Sequence, residues 1–499
     1  MMKKITILAA LATMVLSGCN LDINDDPNYP SETQVTPEKL FPSAENAIAD
    51  VLGDQMFTYS GFFSQYFDQR PEQNQYNNLA ELHLDEGSNL FDRCYQTLYA
   101  GALKDLQEVM AKSPNKADHY ACTVLRVWAY QLLVDNMSDA PYSETLKGKA
   151  NPTPKWEDGK TVLLGVLDEL DKAEANIGGE SMTVDDPMMN KKLSQWKGFA
   201  NALRLRIYMR FIDGGVDVAN YTQKAKDLVA ANAFFKGNVA YDVYSPVQNQ
   251  FNPWYGSIFA LGANNYVAAY PLVEYYSDTD DPRIAYAINV TATTGSYVGQ
   301  LPGAKTTMKE WRNNQDWKNK HVSSIKIQVM KAQPVFAFTQ SELQFLLAEV
   351  QLRFNNDAAK AKTCYEEAVK ADFESRNLTK EKAAAFLAND KVKFDGKSVE
   401  EQLQLIYMQK WAAFFMRNHM EAWSEIRRTN VPQTSKFTAK QVFEGEAYTP
   451  GNLIVPAVNH IQVGGLAKRV PYPNHARRLN PTQTPPEKKL SDPVFWDVK

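Results

Sequence analysis

Cysteine is scarce in this chain: four among 499 residues, with Cys19 in the N-terminal leader and Cys94, Cys122 and Cys364 beyond it. Three cysteines without a C-x-x-C pair make no disulfide framework, and each stands in an apolar helical pattern. They are expected as buried free thiols in a fold held by its core. Basic runs are missing as well. Lys+Arg (54) nearly balances Asp+Glu (58), the formal charge is −4, and no basic cluster reaches five residues, so nucleic acid is not the expected partner. Glycine (24) and proline (25) are sparse and aperiodic, which excludes a collagen-like fibre, and 44% apolar with 22% charged residues excludes wholesale disorder. The six histidines show no ligand spacing with the cysteines. No P-loop, H-E-x-x-H or G-x-S-x-G motif occurs; Gly396-Lys397-Ser398 has Lys391 where a P-loop needs its first glycine. Ser277-Asp278-Thr279-Asp280-Asp281 starts like a calcium loop, but Arg283 stands where that loop needs glycine. No cofactor is called for, and a structural cation such as calcium, held by carboxylates elsewhere, stays open.

Long apolar runs are absent except at the very start. Lys3 and Lys4 precede the uncharged stretch Ile5 to Leu16, which is too short to span a membrane as a helix but has the length of a secretory signal. It ends in Leu16-Ser17-Gly18-Cys19, which looks like a bacterial lipobox. The expectation is a lipoprotein signal peptide over 1–18 and an acylated Cys19, since two or three acyl chains anchor stably where one is marginal. Residues 19–42, with Asp22, Asp25, Asp26 and four prolines, read as an acidic, proline-rich tether and arm. Thr36-Pro37-Glu38 then opens the first helix, with a capping residue, a proline and an acid in order.

What is present is helical periodicity. Phe91, Tyr95, Leu98, Ala102, Leu106 and Val109 recur at spacings of three and four, and so do Ala117, Ala121, Val124, Trp128 and Leu132 after Ser113-Pro114-Asn115. That pattern predicts a helical hairpin over about 88–135. Further hairpins are predicted over about 160–214, 339–370 and 398–428, with capping boxes at Thr339/Glu342 and Ser398/Glu401. Small residues at packing positions give these pairs a tetratricopeptide-like texture without a regular 34-residue period. The expected fold is mainly α: one large domain over 43–499, a helical-hairpin scaffold with long irregular loop-rich insertions.

Two insertions, about 57–78 and 241–321, break the helical texture. Residues 57–78 hold seven aromatic residues and seven amides, and 241–277 holds ten aromatics with only two charges, Asp242 and Glu274. A third polar stretch, 295–321, adds Trp311 and Trp317. Rings free of competing charge can stack on the C–H faces of a neutral, hydroxylated ligand while amides bond its hydroxyls. The same rings could instead form a satellite core beneath long loops, and both readings stand on the sequence alone. For a ligand face built from 57–78, 250–277 and 300–320, the expected stacking residues are Trp254, Tyr255, Tyr266 and Trp311. Gln69, Asn264 and Asn265 are the expected hydroxyl partners.

Six short motifs in order resemble the SusD/RagB family of outer-membrane nutrient-binding lipoproteins, in its SusD-like branch. They are Asn24-Asp25-Asp26-Pro27-Asn28 with Thr36-Pro37-Glu38; Asp139-Ala140-Pro141-Tyr142-Ser143-Glu144; the run Phe338 to Glu349; Gln409-Lys410-Trp411; the run Glu421 to Thr429; and Lys468-Arg469-Val470-Pro471-Tyr472-Pro473. The resemblance implies a lipid-anchored, cell-surface protein of the outer membrane. Such a protein binds an oligosaccharide or polysaccharide without catalysis and delivers it to a SusC-like TonB-dependent barrel. Trp411, Trp423, Arg427 and Arg428 read as packing and helix-end groups rather than ligand contacts. The alternatives are a surface glycoside hydrolase, which needs paired acids in a cleft, and a peptide-binding or scaffold protein of the same architecture.

Overall fold

Thr36, Pro37 and Glu38 open the first helix, α1 (Pro37–Val51), although Thr36 places no side-chain bond on the helix amides. The computed structural model describes residues 35–499 apart from 85–87, 314 and 462–464, so the leader, Cys19 and the tether up to residue 34 lie outside the described residues. α1 runs on through a π-helical segment, Leu52–Met56, into α2 (Phe57–Phe63), which is followed by strand β1 (Phe67–Gln69). Asp92–Gln96, a second π-helical segment (Thr97–Leu103) and α3 (Lys104–Lys112) then form one rod, which turns at Ser113–Asn115 into α4 (Lys116–Met137). Asn115 caps that turn, its Oδ1 accepting from the amides of Ala117 and Asp118.

Strands β2 (Ala140–Pro141) and β3 (Trp156–Glu157) lead into α5 (Gly159–Ala175), α6 (Leu193–Asp213) and α7 (Val218–Ala231). After β4 (Val239–Tyr241) come α8 (Pro253–Leu261), β5 (Tyr266–Ala268) and α9 (Tyr270–Asp278). Beyond β6 (Val335–Phe338) the chain returns to long helices: α10 (Gln340–Arg353), α11 (Ala358–Ser375), α12 (Val399–Phe414) and α13 (His419–Thr429). The strands form three antiparallel pairs, β1–β5, β2–β3 and β4–β6. The fold is thus mainly α, a tetratricopeptide-like helical scaffold with loop-rich insertions in one domain. The Ser398–Glu401 capping box closes in both directions. At Thr339 only half of the expected box forms: the hydroxyl caps the Glu342 amide, but the Glu342 carboxylate turns away to Arg206, 2.5 Å distant.

That turn opens a buried chain of charges. Glu421 on α13 meets Arg206 and Arg210 of α6, and Arg210 also holds Asp135 of α4. Arg428 bridges Glu349 of α10, Glu425 and Asp213, while Lys410 of α12 shares the Oε2 of Glu425 with Arg428. The surrounding guanidinium groups of Arg428 and Arg353 outweigh burial and hold the Glu349 carboxyl down at about 2. Trp411 and Trp423 are buried beside this chain, and the Arg427 guanidinium lies 3.6 Å from the Trp423 ring centroid. Motif residues of the second half therefore join five helices through paired, desolvated charges. The Asp139 and Arg469 motifs meet in the same way. Tyr472 Oη donates to Asp139 at 2.5 Å, the Val470 amide donates to the Asn136 carbonyl, and Arg469 bonds the Met137 carbonyl. Cys94 and Cys122 are buried free thiols, while Cys364 is half-buried.

Candidate functional site

The three polar-aromatic stretches converge on one region. β1 pairs with β5 in the register Phe67↔Ala268, Asp68↔Val267, Gln69↔Tyr266, which joins 57–78 to 250–277. Gln300 joins the third stretch: its Nε2 donates to Asp68 and to the Gln69 carbonyl, and its Oε1 accepts from Trp317 Nε1. Lys305 gathers the carbonyl of Gln73 and the side-chain oxygens of Asn74 and Asn77, pinning the loop that carries Tyr76. Asp68 is buried beneath this junction, and desolvation pushes its carboxyl up to about 7 despite the donors from Gln300 and Gln69.

Beneath the region lies a ring core. Trp254 has no exposed surface; it stacks on Phe67 with centroids 5.4 Å apart and planes 8° apart, and touches Phe57 and Tyr266. Tyr266 is buried, and Tyr255 nearly so, with its hydroxyl donating to Gln328. Rings without free faces cannot stack on a ligand in this structure, so direct contact through Trp254, Tyr255 and Tyr266 gives way to packing. The apolar area of the rings decides this, because burying it against other rings is worth more than leaving it in water. Trp311 is half-buried against Phe443 in a small satellite core. The expected amides are occupied too. Gln69 Oε1 accepts the Tyr76 amide at 2.6 Å, Asn264 Oδ1 accepts the Tyr266 amide, Asn265 Nδ2 donates to the Ala263 carbonyl, and the main-chain carbonyls of Asn264 and Asn265 hold Arg70. These amides shape the loops that the rings support.

One layer above Trp254 lies an open pocket of about 320 Å³, lined by Asp54, Gln55, Thr58, Gln75, Tyr76, Asn78, Ser88, Asn89 and Ser257 among others. None of the seven sequence-derived contact residues lines it. Tyr76 supplies its half-buried ring, stacked on Tyr266 with centroids 5.0 Å apart and backed by Phe62. Asp54 and Gln55 come from the first π-helical segment, whose extra residue per turn shifts the register of the helix. Gly53 makes that segment possible at this spot, since a Cβ there would stand 2.5 Å from Val335 Cγ2 of β6. Burial raises the Asp54 carboxyl above its usual range, while a hydrogen bond from Ser257 and the Arg93 charge pull it back. The sequence pattern missed this pair because a π-segment has no periodic signature; Tyr76 was within the aromatic window but not singled out.

Two other hollows differ in kind. One of about 370 Å³ is walled by the Arg126–Glu169 ion pair, and its ring, Tyr142, donates its hydroxyl to Glu169. One of about 410 Å³ is walled by Arg204 with Asp171 and Glu174, and Lys224 lies over its Tyr208 ring. Among the described residues no group of three or more His, Cys, Asp or Glu side chains is placed to hold a metal. In the calcium-like run Asp281 pairs with Arg283 and Asp278 with Lys391. No described helix is long and apolar enough to cross a membrane.

Residues 27–447 match a SusD-like family model described as starch-binding and associating with the outer membrane. The chain belongs to that SusD-like family. Among solved structures, a chitin-binding SusD homologue from Flavobacterium johnsoniae is 21% identical with a TM-score of 0.72, covering 93% of this chain and 98% of that one. A SusD homologue from Bacteroides fragilis matches at 20% identity and TM-score 0.72, covering 93% and 99%. A SusD/RagB family protein from Bacteroides thetaiotaomicron matches at 19% identity and TM-score 0.72, again covering 93% and 99%. At these identities the neighbours establish the SusD-like fold. No curated protein matches the chain.

Proposed function

We propose that this SusD-like chain is a non-catalytic, surface-exposed lipoprotein that captures an oligosaccharide and passes it to a SusC-like TonB-dependent barrel in the outer membrane. The observation that carries the reading is the pocket above the ring core: one aromatic face, Tyr76, surrounded by amides and hydroxyls. A sugar ring offers C–H groups to such a face and hydroxyls to the amides around it. Tyr76 is assigned the stacking, with Gln75, Asn78, Asn89 and Ser257 bonding hydroxyls. Gln69, Trp254, Tyr255, Asn264, Asn265 and Tyr266 form the platform behind them. Trp311, half-buried against Phe443, stands outside the pocket lining and is assigned no direct contact. A stacked ring of about 0.5–1.5 kcal/mol and four net hydrogen bonds of about 1 kcal/mol each give roughly 4.5–5.5 kcal/mol. That corresponds to a Kd on the order of 0.1–0.5 mM, which suits a carrier that must release its cargo.

Support for a binding rather than hydrolytic role comes from the acid count. Among the described residues Asp54 is the single carboxylate lining the pocket, whereas hydrolysis ordinarily uses two. Support for delivery comes from the family description of outer-membrane association, from the chitin binding of one structural neighbour, and from the lipobox ending at Cys19. Calorimetric titration with neutral hexasaccharides tests the capture: binding is expected with at least one, without product accumulating, and product release from any of them contradicts the non-catalytic assignment. For the anchor, Cys19→Ala is expected to leave unprocessed or soluble protein. A normal-sized, membrane-bound variant overturns that part.

A further inference from the structure

The described residues lining the pocket carry one formal charge, and that charge has a shared counter-ion. Asp54 is the only charged side chain among the described residues lining it, and its carboxylate is 13% exposed. Arg93, the cation that faces it, stands outside the lining and is divided between two acids: 3.4 Å from Asp54 and 2.7 Å from Asp50. With its side chain 53% exposed, Arg93 is screened by water, while Asp54 looks into the cavity. One guanidinium against two carboxylates leaves the wall with an excess negative charge. The remaining neighbours are neutral. Ser257 bonds Asp54, the Cys94 thiol donates to Gln55, and Tyr76 and Thr58 complete the wall. Burial also leaves the Asp54 carboxylate short of stabilisation despite its hydrogen bond and the cation it shares with Asp50.

We propose that Asp54 makes this pocket charge-selective, favouring glycans that bear a free amine, such as de-N-acetylated amino sugars, over neutral glycans of the same length and rejecting uronic-acid and sulfated glycans. The proposal rests on the pocket being the glycan site. An ammonium group on a sugar ring seated over Tyr76 completes the neutralisation that Arg93 leaves unfinished. It donates charge-assisted hydrogen bonds to Asp54, which are about twice as strong as neutral ones. Amide oxygens among Gln75, Asn78 and Asn89 accept the protons that Asp54 leaves free. A carboxylate or sulfate in the same seat faces Asp54 with no cation among the described lining residues to offset it, and like-charge contact at an interface acts strongly against the wrong partner.

The test is a calorimetric titration of the full-length mature protein at pH 6 with four hexamers: β-1,4-glucosamine, its fully N-acetylated form, cellohexaose and oligogalacturonate. Glucosamine hexamer is expected to bind about tenfold tighter than cellohexaose and the N-acetylated form, with a margin that shrinks as salt rises, while the uronate shows no binding. In Asp54→Asn that margin is expected to collapse to within about twofold. Equal binding of amine and neutral hexamers by the native protein overturns charge selection and leaves the glycan-binding reading standing, as does a tight uronate. A margin that persists in Asp54→Asn assigns the preference to surface charge elsewhere and overturns the role of Asp54. Binding of none of the four overturns both.

Discussion

Trp254 and Tyr76 stand one layer apart and should fail in opposite ways. Trp254 is fully enclosed, so Trp254→Ala leaves a cavity and is expected to lower stability by about 3–5 kcal/mol in denaturant unfolding. Tyr76 is half-buried on an already packed stack. Tyr76→Ala should therefore weaken glycan binding about tenfold or more, with a much smaller loss of stability. A Trp254→Ala protein of native stability would contradict the layering. His419 supplies a pH signature. Its ring stacks on Phe57 at 3.6 Å, one nitrogen donates to the Phe57 carbonyl and the other accepts the Met416 amide, and burial drives its pKa down to about 3. An unfolded imidazole takes a proton near pH 6.5, so stability from this group is complete above that pH and is lost as pH falls towards 3, at about 1.4 kcal/mol per unit. Unfolding measured at pH 7 and pH 5 should show a loss smaller by about 2 kcal/mol in His419→Asn than in the native chain. An unchanged pH dependence would place the charge elsewhere. Residue identity alone could not separate these roles. Trp254 and Tyr76 each stand in a window rich in rings and amides, and only the depth of packing tells the floor from the face.

At the scale of elements, the long helices were readable because their apolar stripes repeat and their ends are signed. Asn115, Asp158, Thr339, Asp357 and Ser398 all cap where a polar residue precedes a periodic run. The π-segments were not readable, since their register change leaves no mark in residue spacing, and the first of them supplies Asp54. Loop contacts were equally hidden. Lys305 acts on the 73–77 loop across more than two hundred residues of sequence. Lys305→Ala should loosen that loop and weaken ligand binding, with faster amide exchange confined to about 72–78; unaltered exchange there would exclude the role. The charged motif residues behave as scaffold. Arg428 holds Glu349, Glu425 and Asp213 in a dry interior, so Arg428→Ala strands carboxylates and is expected to cost about 3–5 kcal/mol. A loss below about 1 kcal/mol would show that water reaches the network.

Across the whole molecule, a rigid helical frame held by paired charges carries one irregular face, and the division of labour follows from the chemistry of each part. Helices satisfy their own backbone groups and can be buried. The proposed ligand face is made of loops whose side-chain amides hold backbone groups, which is why the region was visible as a compositional window while its proposed contact residues were not. Gln69 and Asn264 are polar because they hold backbone, and Tyr76 is available because Gln69 and Tyr266 hold it in place. The most direct test of the account is a crystal structure of the full mature chain with the tightest-binding hexasaccharide. A sugar ring lying flat on Tyr76, with hydroxyls or an amine within hydrogen-bond distance of Asp54 and Asn78, is the predicted result. A sugar seated over Trp311 or on any other face, with the Tyr76 pocket empty, would contradict it.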